Sequence, residues 1–475
     1  VPLVHGNLWH PDRLIFLIAQ IFLFKIRAIK FILGFLFVLN VLTGSKRFLD
    51  EKSDTTLAVR MTLEDNQALL DRFTDVLTNF ASSGMASSDD FYLSDADYNA
   101  MMYQEDRRLY TWQNDYLSTN QGVGNDWSYA YRAIYISNAV LNNLDTYAIS
   151  GAENVRGQAL VIRAIRYLDA AQVWCPVYNK ATAEKDLGMP IRLDPDMNIP
   201  SVRSSVQQTF EQILKDLHEA VNLLPVKQIA TSRPSKVVAL GYLARTYQYM
   251  GDNEKALTYA LEALSLQNSL INFNTLNVSA SYPISNMNVE VLLRAIMRNS
   301  GPIRFAVAQV PLSLYQSYQA NDLRKAAFFR ISTNGDITFK GNYTGSSAGK
   351  MTGITIDELY LIAAESYART NDIARAMDML NSLLITRWKT GTFVPFSAST
   401  KEEALQIIKE ERRKELLFRG IRWADIKRYN RDGDAITLTR TIGGQTYTLP
   451  PNDPRYAIAI PEDIIALTGM PQNPR

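Results

Sequence analysis

The chain of 475 residues has very few of the side chains that most often bind metals or form nucleophilic catalytic sites. Cys175 is the single cysteine, which excludes an intrachain disulfide and a cysteine-rich metal site. The three histidines are His5, His10 and His218, and two of them lie in an unusual N-terminal region. This distribution argues against a histidine metal cluster and a Ser-His-Asp triad, so we expect no metal and no cofactor.

An excess of charge of one sign is also missing. The sequence has 50 basic and 48 acidic residues, which gives a formal net charge of +2. A chain so evenly balanced has no electrostatic footprint for nucleic acid, and we expect no nucleic-acid partner. The 47% apolar and 21% charged residues describe an ordinary globular protein that is long enough to bury a large core.

Two apolar runs near the N-terminus, 14–24 and 31–42, are separated by three basic residues. Neither run reaches the ~20 residues that a membrane-spanning helix needs. Basic residues followed by an apolar run are typical of a signal peptide, and an uncleaved signal anchor is the alternative. We predict that residues 1–44 are a signal peptide with a spurious upstream extension, and that residues 45–475 form a single domain.

From residue 62 onward, apolar residues recur with helical spacing. Helices are predicted at residues 62–80, 127–145, 153–175, 204–224, 235–250, 253–267, 355–370, 372–388 and 401–418. Strand patterns are scarce, and the clearest is a possible hairpin over 437–449 with Gly443 and Gly444 at its centre. The pattern therefore predicts an all-α fold with little β structure.

The helical region contains an internal repeat. Residues 239–264 align with residues 359–384, which places Gly251 opposite Asn371 at the expected turn between two helices. Small residues at fixed offsets let the two helices approach closely, and this resembles the tetratricopeptide pattern. The predicted helix pairs are about 153–224, 235–267 and 355–388. Such pairs stack into a solenoid, and an exported tetratricopeptide scaffold that binds peptide or protein partners is one possible function.

The densest run of charges lies in residues 410–428, which read EERRKELLFRGIRWADIKR. Apolar residues flank this run, so one side of its helix must pack against the protein. Charges held there need partners, because an unpaired buried charge is costly. The candidate pairs are Glu411 with Arg412 or Glu415, and Arg413 with Asp425. A structural ion-pair network is the main interpretation, and a catalytic carboxylate pair is the alternative.

The same stretch resembles the C-terminal signature of the SusD/RagB family, the surface glycan-binding lipoproteins of Bacteroidetes, which reads E-R-R-x-E-L-x-F-E-G-x-R-W-x-D-L-x-R. The matching residues are Glu411, Arg412, Arg413, Glu415, Leu416, Phe418, Gly420, Arg422, Trp423, Asp425 and Arg428. Arg419 stands where the family usually has an acid. The end of the chain, from Tyr456 to Pro474, is also similar to the family's ending, although Arg475 replaces the expected Gly-Tyr.

This resemblance implies a SusD-like scaffold of tetratricopeptide-like helix pairs that carries a variable, loop-rich face. It also implies a non-catalytic protein on the outward face of the outer membrane. Such a protein captures an oligosaccharide or polysaccharide and delivers it to a TonB-dependent, SusC-like transporter. Residues 42–45 match three of four positions of a lipobox, but Ser45 replaces the cysteine. A serine hydroxyl cannot form the thioether of lipidation, which leaves lipid anchoring open.

Two long loop regions, about 81–126 and 268–352, are the expected location of a ligand site, because long loops of this kind are usually functional or disordered. Sugars present apolar C–H faces that stack on aromatic rings, and hydroxyls that bind amides and carboxylates. The candidate ligand-binding residues are Trp112, Tyr116, Asn125, Trp127, Tyr282 and Tyr343. For Tyr131 and Tyr135, whose spacing is helical, packing against the protein is the main interpretation.

A glycoside hydrolase is the third possible function, because two carboxylates about 5–10 Å apart across a cleft can cleave a glycosidic bond. Asp95 with Asp97, or Asp115 with Asp126, would be the available pairs. Nothing in the sequence distinguishes these residues from other acids, and we expect no enzymatic activity.

Overall fold

The computed structural model describes residues 62–114 and 125–475, so the predicted signal peptide and Ser45 lie outside the described residues. The described part is mostly helical, which confirms the predicted all-α class. Its α-helices are α1 (Leu63–Leu70), α2 (Phe73–Val76), α3 (Ser83–Ser87), α4 (Asp95–Asn99), α5 (Gln104–Tyr110), α6 (Asp126–Thr146), α7 (Glu153–Trp174), α8 (Val206–Leu223), α9 (Lys236–Met250), α10 (Asn253–Leu266), α11 (Leu312–Gln316), α12 (Arg324–Phe328), α13 (Ile356–Arg369), α14 (Ile373–Leu384), α15 (Lys401–Glu415), α16 (Arg422–Arg431) and α17 (Glu462–Thr468).

The long helices form a continuous packed series. Helices α6 to α10 each pack against the next in chain order, α10 packs against α13, and α13 packs against both α14 and α15. Each of the three predicted pairs is therefore a pair of helices in contact: α7 with α8, α9 with α10, and α13 with α14. This arrangement buries the apolar faces that no single pair could bury alone.

The turns inside two of these pairs have the residues that the repeat predicted. Gly251 ends α9 with a left-handed φ of 87°, and Asn371 follows α13 with a φ of 66°. Glycine adopts this region freely, and asparagine adopts it more readily than other side chains do. The next residue in each copy, Asp252 or Asp372, caps the following helix by accepting a backbone N–H, at 3.2 and 3.1 Å.

The predicted helix over residues 62–80 is divided in the structure. Helix α1 ends at Leu70, and Arg72 leaves the helical region with φ −69° and ψ 69°. Asp71 at this break accepts hydrogen bonds of 2.8 and 2.5 Å from Arg233, so a tertiary ion pair coincides with the interruption. The predicted loop over 81–126 likewise contains the short helices α3, α4 and α5.

Strands occur only as two-stranded antiparallel pairs in the described part of the chain. They are β1 (Leu187–Pro190) with β2 (Arg203–Ser205), β3 (Ile296–Met297) with β6 (Lys350–Met351), β4 (Phe329–Ile331) with β5 (Ile337–Phe339), and β7 (Leu438–Ile442) with β8 (Gln445–Leu449). The last pair confirms the predicted hairpin. Ile442 pairs with Gln445 across Gly443 and Gly444, which have φ values of 56° and 77°. Two consecutive positive φ values are typical of a type I′ turn.

The charge run of α15 forms a buried ion-pair network, as the main interpretation expected. Arg324 donates to Glu411 at 2.6 Å and to Glu415 at 3.0 Å. Arg387 donates to the other oxygen of Glu415 at 2.8 Å and to Glu290 at 2.7 Å. These five side chains are almost completely buried. The carboxylates are held by guanidinium groups inside the protein, and this argues against a catalytic pair at this place.

The partners differ from those that helical spacing suggested. Asp425 binds Arg412, with Nε to Oδ2 at 2.8 Å, and Arg413 instead contacts Asp89 at 3.1 Å. The expected pairing of Arg413 with Asp425 is therefore wrong. Consecutive helix positions point about 100° apart, so Arg412 and Arg413 meet different parts of the protein. Glu411 takes Lys414 and the distant Arg324 as partners, and not Arg412 or Glu415.

Helix α16 joins the C-terminal part of the chain to much earlier segments. Arg422 donates to both oxygens of Asp89 at 2.7 and 2.9 Å. Lys427 donates to the carbonyl oxygens of Gln172 and Cys175, at 2.8 and 2.7 Å, where α7 ends. Burial lowers the pKa of Lys427 to about 7, while the carbonyls at the helix end favour its charged form. Residues that are 252 to 333 positions apart thus meet in direct hydrogen bonds.

Candidate ligand-binding groove

A groove of about 580 Å³ with a largely apolar lining runs along α6. Its floor comes from one face of α6, because Trp127, Tyr131, Ile134, Tyr135 and Asn138 recur at helical spacing. The opposite wall consists of the chain that follows β1, together with α17 and the residues after it. The groove has the size of a typical small-ligand site.

Aromatic rings dominate the floor of the groove. Trp127 stacks on Tyr131 with ring centroids 5.0 Å apart, and it meets Trp174 edge-on at 5.1 Å. Trp127 is 4% exposed, whereas Tyr131 and Tyr135 are half-buried and so present part of their surface to the groove. Burial raises the pKa of Tyr131 well above its usual range, so its hydroxyl stays protonated and acts as a donor.

Hydrogen bonds fix the wall against the floor. The Tyr131 hydroxyl donates to the Pro190 carbonyl at 2.7 Å, and the Asn138 amide donates to the Arg192 carbonyl at 2.9 Å. The Arg192 guanidinium turns back into its own loop and donates to the Ile199 carbonyl at 2.7 Å. The groove is therefore largely preformed, which lowers the entropy lost when a ligand binds.

Apolar side chains stand at the rim of the groove. Met197 on the loop after β1 is 72% exposed, and Leu467 on α17 is 82% exposed. Both line the groove. Exposed apolar residues that gather around one concavity are typical of a binding surface.

The start of α6 is held in place by two neighbouring residues. Asn125 forms a capping box with Ser128, in which each side chain binds the other residue's backbone N–H at 2.9 Å. The buried Asp126 carboxylate accepts the backbone N–H groups of Ser82 and Ser83 at 2.8 and 2.9 Å. Trp127 follows directly, so these contacts position the aromatic floor.

Residues 47–248 of the chain match a family model described as starch-binding and associating with the outer membrane, and residues 333–463 match the model of the SusD family. The chain belongs to the SusD/RagB family. The SusD-like protein P2 of Formosa agariphila is 26% identical over 369 residues, which cover 64% of this chain and 70% of that protein.

Solved structures share the fold of this SusD-family protein. A SusD-like carbohydrate-binding protein of Bacteroides vulgatus has a TM-score of 0.66 at 22% identity, covering 86% of this chain and 97% of that one. A SusD superfamily protein of Bacteroides thetaiotaomicron has a TM-score of 0.69 at 20% identity, covering 87% and 100%. A laminarin-binding SusD-like protein has a TM-score of 0.61 at 17% identity, covering 86% and 97%.

Among the six candidate residues of this SusD-family protein, Trp127 lines the groove and Asn125 caps its helix. Trp112 is 5% exposed, adopts a left-handed φ of 53°, and donates its indole N–H to the Ser87 carbonyl at 2.9 Å. Tyr343 is 1% exposed and donates its hydroxyl to Glu290 at 2.7 Å. These hydrogen bonds tie the two side chains to the protein, and ligand contact by them stays a prediction.

Of the two remaining candidates, only Tyr282 belongs to the described part of the chain. Tyr282 is half-buried and meets Phe305 edge-on, with ring centroids 6.1 Å apart. Tyr116 lies outside the described residues. Tyr282 does not line the groove along α6, so the structure does not bring the five described candidates together in one site.

The carboxylates considered for hydrolysis are engaged in local structure where they are described. Asp95 accepts the Gly443 N–H at 3.0 Å, and Asp97 accepts the Ser94 hydroxyl at 2.6 Å. Asp126 binds the start of α3, as described above, and pairs with Arg298 at 3.2 Å. Asp115 lies outside the described residues.

Over residues 62–114 and 125–475, no helix is long and apolar enough to cross a membrane. Within the same residues, no group of three or more His, Cys, Asp and Glu side chains is placed to hold a metal ion. What the groove offers to a ligand is an aromatic surface, a few polar side chains and a concave shape.

Sequence reasoning missed the wall that faces α6. Several residues of the segments 190–201 and 464–470 line the groove. Their own spacing carries no sign of a site, because they meet α6 only through the tertiary fold. Tyr131 and Tyr135 were expected to pack, and half-burial shows that each packs with one part and faces the groove with another.

Proposed function

We propose that this SusD-family protein is a non-catalytic, cell-surface binding protein that captures an oligosaccharide or polysaccharide in the groove along α6. It then delivers the glycan to a TonB-dependent, SusC-like outer-membrane transporter. The observation that carries the proposal is the preformed aromatic groove, in which Trp127, Tyr131 and Tyr135 lie on one helix face.

The chemistry of the groove suits a sugar. Flat rings accept the apolar C–H face of a pyranose, and the half-buried Tyr131 and Tyr135 have surface available for this contact. Asp194, Arg192 and Ser201 line the opposite wall and bring polar atoms to the same space. A site with an apolar majority and a few placed polar groups fits a ligand that has both kinds of surface.

Relatives support a carbohydrate ligand. Solved structures with the same fold include a carbohydrate-binding protein and a laminarin-binding protein, and one matching family model is described as starch-binding. Capture needs no catalytic group. The engagement of Asp95, Asp97 and Asp126 in local structure supports binding without turnover.

Calorimetric titration of the protein beginning near Lys46 against a panel of glycans that includes laminarin and starch tests the proposal. We expect binding of at least one glycan, with no new products when the mixture is separated by chromatography. Release of shorter sugars would show a hydrolase instead. Failure to bind any glycan of a broad panel, together with binding of a peptide library, would favour the tetratricopeptide scaffold.

The groove itself is tested by Tyr135→Ala. Loss of one stacking ring is expected to weaken glycan binding by about tenfold or more, which corresponds to about 1.4 kcal/mol. Tyr147→Ala is the matched control, because Tyr147 is 40% exposed at the other end of the same helix and lies outside the groove. Equal affinity of both variants for the glycan would place the site elsewhere.

Delivery is tested by crosslinking in membranes of the native host. We expect a covalent adduct between this protein and a large β-barrel protein, and an increase or decrease of its yield when the glycan is added. A protein that yields adducts only with other soluble proteins would contradict delivery to a transporter, while leaving glycan capture intact.

A further inference from the structure

A narrow internal chamber of about 30 Å³ lies where α7, α9 and α16 meet, at a different place from the groove. Helix α7 contributes Asp169, α9 contributes Arg245 and Tyr249, and α16 contributes Arg428, while Arg412 enters from α15. The chamber therefore lies at the joint between the charge-rich C-terminal stretch and the helix pairs. None of the residues that line it also lines the groove.

Two buried donors at this chamber make no hydrogen bond within the protein. Arg412 is 1% exposed and uses Nε to bind Asp425, but its Nη1 has no partner. Tyr249 is 2% exposed, and its hydroxyl has no partner either. Buried polar groups in proteins are almost always hydrogen-bonded, to protein or to ordered water, so both donors point to an occupant.

An acceptor faces the same space. Asp169 accepts the Ala81 N–H at 2.9 Å through Oδ2, and a carboxyl group has further lone pairs for additional donors. Burial raises the pKa of Asp169 to about 7, although Arg166 nearby lowers it in part. The chamber thus contains two unmatched donors and one carboxyl group that can accept more hydrogen bonds.

The charged groups around the chamber are already paired. Arg428 binds Glu365 at 2.7 Å, and Arg245 binds Glu358 at 2.7 Å. Arg412 binds Asp425 at 2.8 Å. Each guanidinium group at the chamber already has a carboxylate partner, and Asp169 is part of the wall. The chamber therefore favours a neutral occupant, which can both donate and accept hydrogen bonds, and disfavours an anion.

We propose that the chamber is a built site for ordered water, and that about two water molecules connect the Asp169 carboxyl group with Arg412 Nη1 and the Tyr249 hydroxyl. A water molecule needs about 10–15 Å³ of such space, so 30 Å³ suits about two. Water bridges of this kind replace direct hydrogen bonds at little loss of enthalpy. The waters would complete the hydrogen bonding of the joint between α7, α9 and α16.

A high-resolution crystal structure of the protein beginning near Lys46 tests this site. We expect two separate peaks of water density in the chamber, one of them about 2.7–3.2 Å from Arg412 Nη1. A chamber without density would overturn the proposal. Crystals grown in sodium bromide supply the second test, because an anomalous bromide peak in the chamber would identify an anion site instead.

Variants at position 169 sharpen the result. Asp169→Asn keeps the size and an acceptor oxygen, so both density peaks should persist, and their loss would contradict the proposal. Asp169→Leu removes the acceptor oxygens at position 169, so the peak beside residue 169 should disappear. If Asp169→Leu does not fold, oxygen-17 relaxation dispersion can count the long-lived internal waters of the remaining proteins in solution. Wild type and Asp169→Asn should then show equal numbers of long-lived internal waters, and a lower number in Asp169→Asn would overturn the bridge.

Discussion

Replacing Arg324 by methionine should destabilise the protein strongly, because Arg324 is the centre of the buried ion-pair network. Its guanidinium makes four hydrogen bonds of 2.6 to 3.0 Å to Asp322, Glu411 and Glu415, and it is 0% exposed. Methionine has a similar length but cannot donate. The substitution therefore leaves three buried carboxylates with fewer cationic partners.

The size of the effect follows from what remains around each carboxylate. Glu415 keeps Arg387, and Glu411 keeps Lys414, while Asp322 keeps only Lys414 at 4.0 Å. Removing one partner of a buried ion pair destabilises a protein by about 3–5 kcal/mol. Since Asp322 loses its close partner, we expect the free energy of unfolding to fall by an amount in this range.

Urea denaturation followed by circular dichroism measures the change, as a shift in midpoint at constant slope. Arg375→Met is the matched control, because Arg375 pairs with Asp372 at 2.5 Å but is 67% exposed. An exposed pair contributes about 0–1 kcal/mol. Should Arg324→Met fail to fold, Arg324→Lys keeps the charge, loses the forked geometry, and should fall between the wild type and the methionine variant.

A midpoint shift for Arg324→Met no larger than that for Arg375→Met would contradict the prediction. That outcome would mean that the desolvation of the buried charges offsets their attraction, as happens in some buried ion pairs.

Two further predictions concern single positions. Gly420→Ala should lower the free energy of unfolding, measured by urea denaturation, by about 1 kcal/mol more than Gly391→Ala does. Both glycines have φ near 79°, but only the new Cβ at position 420 would meet Met297 and Thr352, at 2.5 and 2.9 Å. Equal losses would contradict a steric role for position 420. Asp169→Asn should change the pH dependence of stability. The folded pKa of about 7 lies above the ordinary value of 3.8, so the wild-type carboxyl group contributes stability below about pH 4 that is lost as the pH rises towards 7. Urea midpoints of wild type and variant should therefore diverge in favour of the variant between pH 4 and 7, and parallel curves would show that Asp169 does not titrate there.

The helices and their pairing were largely predictable, because an apolar stripe with helical spacing is a local signal. The turn residues Gly251 and Asn371 and the hairpin at Gly443 are local as well, since they depend on backbone conformations that few residues adopt. The break at Asp71 was not predictable, because its cause is an ion pair with Arg233, which lies 162 residues later.

The site was predictable only in part. Trp127 was identified from its aromatic and polar neighbours in the sequence, and it does line the groove. Trp112 belongs to the same aromatic-rich segment, but it is buried beneath Arg440, whose guanidinium lies 4.7 Å from its ring. Which aromatic residues face outward depends on contacts between distant segments, and the spacing of one segment cannot reveal them.

The long-range hydrogen bonds of α16 have a consequence for the order of folding. Arg422 holds Asp89 across 333 residues, and Lys427 holds the end of α7 across 252 residues. Closing such long loops is entropically expensive and slow, and the contacts form only when both ends of the chain are present. The N-terminal helices therefore cannot reach their final packing until nearly all of the chain has been synthesised.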